Sequence, residues 1–169
     1  MMKKLLLCLL VLSLIAGWLL MNPDAAVSQT GFVGKPAPDF TIKRLDEKML
    51  RISGLKGKVI VLNFWATWCP PCRREIPEFI QFFKDYEKKG VIVVGISLDR
   101  DEAYLREFVR SRGVNYPVAA DPSGKIAKLY GGIRFVPTTF IIDRRSIIKE
   151  MRVGEISREE LWKMVAPNL

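Results

Sequence analysis

Apolar residues gather along this chain in unbroken runs and in periodic stripes, and the two patterns predict different elements. "KVIVLNFW", Lys58 to Trp65, is a continuous β-branched and aromatic run of strand length, the composition of a strand buried on both faces. "VIVVGISL", Val91 to Leu98, is a second. Between them Ile76, Phe79, Ile80 and Phe83 recur at helical spacing, which predicts an amphipathic helix over Pro70–Lys88 with one core-facing stripe. The three make a βαβ unit, whose strands run parallel. "DEAYLREFVRSRG" repeats the helical spacing through Leu105, Phe108 and Val109, and Gly113 supplies the stop. "TTFIIDRRSIIKEMRVG" reads as two strands around a turn near Arg144-Arg145. "SREELWKMVA" closes as a helix in which Ser157 and Glu160 fit a capping box. With no internal repeat or low-complexity segment, the pattern sums to one α/β domain with a mixed sheet.

The amino end is patterned otherwise. Met1–Lys4 holds two lysines, and "LLLCLLVLSLIAGWLLM", Leu5 to Met21, is seventeen residues without a charge. That is the lower limit for a membrane-spanning helix and long for a signal-peptide core. Lysines before the run and none just after it favour a cytoplasmic amino end, with the remainder of the chain outside. Residues 1–21 are therefore expected to be a membrane anchor or signal segment. Ala26-Val27-Ser28 has small residues at cleavage spacing, but Asn22, Pro23 and Asp24 interrupt the approach, so retention is expected; cleavage would give a secreted form. Cys8 follows Leu5-Leu6-Leu7, which lack the small residue of a lipoprotein signal, and reads as a lipid-facing apolar side chain. Residues 22–34, small, polar and glycine-bearing, form a linker, and 35–169 the patterned domain.

Composition narrows the chemistry. The 169 residues include three Cys and no His, too few ligands for a closed structural zinc site. Without His there is no Ser-His or Cys-His catalysis, and Arg73 after Cys72 breaks the c-type haem pattern. No metal or other cofactor is expected. The net charge of +9 suits an anionic lipid surface or acidic partners, but no basic run is interleaved with aromatics, so nucleic-acid binding is not expected.

What remains is the thiol pair in "NFWATWCPPCRREIPEF", Asn63 to Phe79. Cys69 directly follows a strand and precedes Pro70, a residue suited to the first position of a helix. At a helix amino terminus the free N–H groups and the macrodipole stabilise negative charge, so Cys69 should ionise more readily than free cysteine and act as the attacking sulfur. Cys72, one turn on, can resolve a mixed disulfide by attacking Cys69. A permanent structural bridge is the alternative, but a loop closed over two residues constrains the unfolded chain little. A redox pair is the better account.

"FWATWCPPC" with a downstream "FVPTTFIID" resembles the thioredoxin superfamily. With "VGKPAPDF", "GISLD" and "YPVAADPSGKIAKLYGGIRFVPTTFIID", the chain from about Gly34 to Leu169 looks like the membrane-anchored TlpA/ResA-like thiol-disulfide oxidoreductases. The resemblance implies an α/β thioredoxin fold: a central mixed β-sheet flanked by helices, with an N-terminal β-hairpin and an inserted βα element. It also implies a cis Pro137 facing the cysteines, with Val136 free to pair an extended substrate segment. The implied activity is extracytoplasmic reduction of protein disulfides, including those of apocytochrome c before haem attachment, with electrons from a membrane-embedded thiol carrier. Three other uses of the motif stay open: a Cu(I) metallochaperone, a disulfide-donating oxidase and, from the redoxin-like "GKPAPDF", a thiol peroxidase. The last lacks the threonine-plus-proline arrangement expected of it, since Asn63 stands where the proline should be.

The candidate site is therefore Cys69, Cys72 and Glu75, with Trp68, Val136 and Pro137 lining the groove. Trp68 is expected to be exposed and Trp65 packed. Arg73 and Arg74 could support the Cys69 thiolate, or simply form a solvated face. Less similar thioredoxins carry a buried aspartate six residues before the first cysteine; here that position is Asn63, which cannot titrate. Glu75, three residues beyond Cys72, is the alternative proton acceptor, or else an ordinary surface acid favoured by the helix dipole.

Overall fold

A computed structural model describes residues 30–169. The expected anchor, the cleavage site, Cys8 and the first part of the linker lie outside the described residues. Among the described residues no helix is long and apolar enough to cross a membrane. The strands are β1 (Thr41–Lys43), β2 (Met49–Arg51), β3 (Val59–Trp65), β4 (Val91–Ser97), β5 (Val118–Ala120), β6 (Thr138–Ile142) and β7 (Ile148–Val153). The helices are α1 (Pro70–Tyr86), α2 (Glu102–Ser111), α3 (Lys125–Leu129) and α4 (Arg158–Val165).

Five strands make one sheet in the order β5-β4-β3-β6-β7. β3 is the middle strand, parallel to β4 and antiparallel to β6, and all seven of its residues are buried. That position explains its unbroken apolar run, since both faces are covered. Alternate residues divide between two cores. Val59, Val61 and Trp65 face Ile76, Phe79 and Phe82 of α1, Phe108 of α2 and Leu161 of α4. Ile60, Leu62 and Phe64 face Phe40, Ile52, Ile126 of α3, Tyr130 and Phe140. Asn63 belongs to the first face and is the one polar residue of the strand.

The fold is the mixed α/β sheet flanked by helices that the resemblance implied, with β1 and β2 pairing as an antiparallel hairpin and β5 and α3 standing between α2 and β6. Two boundaries differ from the sequence reading. The α-helix from Pro70 ends at Tyr86 rather than Lys88; Glu87–Lys89 tighten into a 3₁₀ turn and Gly90, at φ +88°, terminates it. The last linker residues pack on the domain: the Phe32 ring stacks on Tyr130 at 6.3 Å, and the Gly34 N–H donates to the Ile148 carbonyl at 2.8 Å. Composition marked them as linker because a single aromatic among small residues gives no periodic signal. Ser157 and Glu160 form the reciprocal capping box at the start of α4.

Candidate active site

The site lies at the carboxyl ends of β3 and β4, where parallel strands hand the chain to loops and helices. β3 ends at Trp65, and the short turn Ala66–Trp68 carries the chain to Cys69, the N-cap of α1. Cys69 and Cys72 are joined as a disulfide with their Cα atoms 5.3 Å apart. The Cys72 backbone N–H donates to Cys69 Sγ at 3.2 Å, so the sulfur occupies the place of an N-cap acceptor. The two cysteines are not equivalent: the residue Cys69 retains 4% of its surface and Cys72 none.

On the other side of Cys69, the loop before β6 brings in Val136, whose carbonyl oxygen is 3.5 Å from Sγ. The Val136-Pro137 bond is cis. Among the described residues no backbone partner takes the Val136 N–H. Trp68 stands 65% exposed beside the pair while Trp65 lies beneath it in the core, tilted against Phe108 at 5.9 Å between ring centroids.

Behind the pair is Glu75, only 1% exposed although it is one turn into a helix whose outer face is solvated. Its carboxylate accepts from the Asn63 side-chain amide at 2.9 Å and from the Ile156 N–H at 3.3 Å, and the same Asn63 amide donates to Thr139 Oγ1 at 3.0 Å. Burial pushes the Glu75 pKa up to about 8 against the pull of the Asn63 and Ile156 hydrogen bonds, with the nearby Glu155 charge adding to the rise. The solvent-facing alternative for Glu75 does not hold. Burial, with the nearby Glu75 carboxylate adding to it, pushes the Tyr116 phenol upward as well.

Sequence reasoning missed a second polar cluster. The buried Asp99 carboxylate accepts the Thr67 N–H at 2.9 Å, the Thr67 hydroxyl at 2.5 Å and the Ser97 hydroxyl at 2.6 Å. The Leu98 N–H donates to the Trp65 carbonyl at 2.9 Å. The turn before Cys69 is thus tied to the end of β4 by backbone and side chain together. A signal existed: Thr67 and Asp99 are polar residues placed just past the ends of two runs read as neighbouring parallel strands. Arg74, considered for the thiolate, instead pairs with Glu155 at 2.7 Å, whereas Arg73 lies over the Phe108 ring at 5.9 Å.

This arrangement supports thiol-disulfide exchange: a sulfur at the N-cap of a helix, in a residue that keeps a little surface, a fully buried partner one turn away, and a buried carboxyl behind them. The comparisons agree. The sequence profile of the AhpC/TSA family matches residues 33–151. The thiol-disulfide oxidoreductase ResA of Bacillus thuringiensis (strain Al Hakam) is 36% identical over 153 residues, 90% of this chain and 88% of that protein. A thiol:disulfide interchange protein of the thioredoxin family from Chlorobium tepidum superposes with a TM-score of 0.72 at 33% identity, covering 79% of this chain and 94% of its own. A secreted thiol-disulfide isomerase from Corynebacterium glutamicum superposes with a TM-score of 0.73 at 26% identity, covering 78% of this chain and 83% of its own. The chain belongs to the AhpC/TSA family and is, within the thioredoxin superfamily, a ResA/TlpA-like thiol-disulfide oxidoreductase.

Proposed function

We propose that the protein reduces disulfides of exported proteins outside the cytoplasm, held to the membrane by residues 1–21 and re-reduced by a membrane-embedded dithiol, with apocytochrome c thiols among its targets. The observation that carries the reading is the asymmetry of the pair, an N-cap cysteine that keeps a little surface and a fully buried partner. The Cys69 thiolate attacks a substrate disulfide, whose S–S bond breaks as a mixed disulfide forms and one substrate thiolate leaves. Cys72 then attacks Cys69 Sγ, the mixed disulfide breaks, and the second substrate thiolate leaves. Two electrons pass to the substrate and the Cys69–Cys72 bond forms.

Glu75 is the acceptor for the proton that Cys72 loses in the second step. Three residues apart on α1, the two side chains lie on neighbouring parts of one helix face, and both are buried. Resolution on this route leaves the oxidised protein with its proton on Glu75, in keeping with a carboxyl whose pKa in the disulfide form is about 8. Trp68, Val136 and Pro137 form the groove, where the free Val136 N–H can pair an extended substrate strand.

The test uses the full-length protein. Cys72→Ser should accumulate mixed disulfides with substrate, and Cys69→Ser should lose disulfide reduction; near wild-type turnover in Cys69→Ser would remove the assignment. A glutathione redox titration decides direction: a potential well below the glutathione pool supports a reductase, and one well above it supports a disulfide donor.

A further inference from the structure

The arginines of the domain divide by pairing. Most arginines among the described residues reach a carboxylate, as Arg51 does Asp39, Arg106 does Glu47 and Glu102, and Arg152 does Glu160. Arg73, Arg100, Arg112, Arg134 and Arg144 form no ion pair there.

Four of these five stand around the cysteines. Arg73 follows Cys72 and shares the Phe108 ring with Arg112, whose guanidinium lies 5.4 Å from the ring centroid against 5.9 Å for Arg73. Phe108 in turn packs on Trp65 under the site. Arg100 follows Asp99, which holds the turn before Cys69. Arg134 precedes Phe135 and Val136 in the loop that touches Cys69 Sγ. All four are exposed, and among them Trp68 and Phe135 present large apolar faces at 65% and 63% exposure. Exposed apolar anchors beside arginines that have no carboxylate partner among the described residues have the composition of a binding patch, in which aromatic residues and arginine are enriched.

We propose that this face is a docking surface for an acidic polypeptide segment flanking the target disulfide. Trp68 and Phe135 hold its apolar residues, and Arg73, Arg100, Arg112 and Arg134 bind its carboxylates. The proposal rests on the reading of Cys69 as a protein-disulfide reductant and names the substrates that it prefers. Guanidinium groups favour carboxylates through paired N–H donors, and like-charged segments are repelled during approach. An anionic lipid surface would be drawn by the same charges. The Val136 N–H, free to pair a strand beside the sulfur, selects a polypeptide instead.

The experiment measures second-order oxidation rates of the reduced full-length protein by two disulfide-linked peptides of equal length, one flanked by Asp and Glu and one by Lys, with neutral hydroxyethyl disulfide as a reference. At low ionic strength the acidic peptide should react about 10-fold faster than the basic one, and the ratio should shrink as salt shortens the screening length. Arg100→Glu and Arg134→Glu should bring the ratio to one or below. Arg144→Glu, in the β6–β7 turn, makes the same change of net charge and should leave the ratio within about twofold of wild type. The ratio within each variant is the readout, so general slowing does not mimic the effect. Equal wild-type rates, or equal loss of the ratio in Arg144→Glu, would overturn the docking surface. So would an unchanged ratio in Arg100→Glu and Arg134→Glu alongside lost binding to phosphatidylglycerol vesicles, which would assign the face to lipid. Failure to react with hydroxyethyl disulfide as well would overturn the exchange reading itself, and the docking surface with it.

Discussion

The Asn63 side-chain amide lies 2.9 Å from the Glu75 carboxylate, across the packing of β3 against α1. A neutral residue on the central strand thereby holds the acid that a helix turn buries. The pairing gives a substitution with a defined direction. Removing the donor in Asn63→Val takes away an interaction that lowers the Glu75 pKa, so the carboxyl should titrate above about 8 in the oxidised protein. Carbon-13 NMR of the glutamate carboxyls checks this, and a downward movement would contradict the assignment.

Glu75 also links stability to pH. Its folded pKa of about 8 lies above the 4.5 of the free side chain, so the folded oxidised protein binds this proton more tightly than the unfolded chain. The stabilisation is complete below 4.5 and is lost progressively as pH rises through about 8. Urea unfolding of the oxidised protein between pH 5 and pH 9 should show a decline that Glu75→Gln flattens. Parallel curves for wild type and variant would place the pH dependence elsewhere.

Thr67 and Asp99 make a prediction that separates fixing the turn from general stability. Thr67→Val deletes the hydroxyl that donates to Asp99 at 2.5 Å and leaves a buried carboxylate oxygen short of a donor, a loss of about 1–3 kcal/mol. Ser97→Ala removes a donor from the same carboxylate but not from the turn. Both should lower the urea midpoint; Thr67→Val should slow exchange at Cys69 several-fold more. Equal rate effects would mean that Asp99 stabilises the fold without positioning the cysteine.

Gly95 is kept free of a side chain by Trp65. A Cβ at this position would come within 2.9 Å of Trp65 Nε1 and 3.4 Å of the Tyr116 ring, and an indole packed beneath the disulfide has little room to move. Replacing glycine by alanine at a site without strain stabilises by about 0.4–1 kcal/mol through the unfolded chain. Overpacking costs about 1–3 kcal/mol and should outweigh it. Gly95→Ala is thus expected to lower stability and to change the near-ultraviolet signal of the tryptophans; a more stable Gly95→Ala protein would show that Trp65 can yield.

The sequence alone determined what depends on neighbours along the chain. The runs at Val59–Trp65 and Val91–Ser97, the helical stripe of α1 and the capping box of α4 are local patterns, and each forms where its period places it. So is the position of Cys69, because Pro70 after a strand starts a helix. The tertiary structure decided what depends on residues distant in sequence. Glu75 looks like a surface acid in its own helix and is buried because Asn63, twelve residues earlier, and Ile156, eighty-one later, close over it. The turn before Cys69 is set by Asp99, thirty-two residues beyond Thr67. Val136 meets Cys69 only when β6 pairs beside β3. Periodicity states which face of an element is apolar, but strand order and register choose what stands opposite each polar residue, and that choice sets the proton affinity of Glu75 and the surroundings of Cys69.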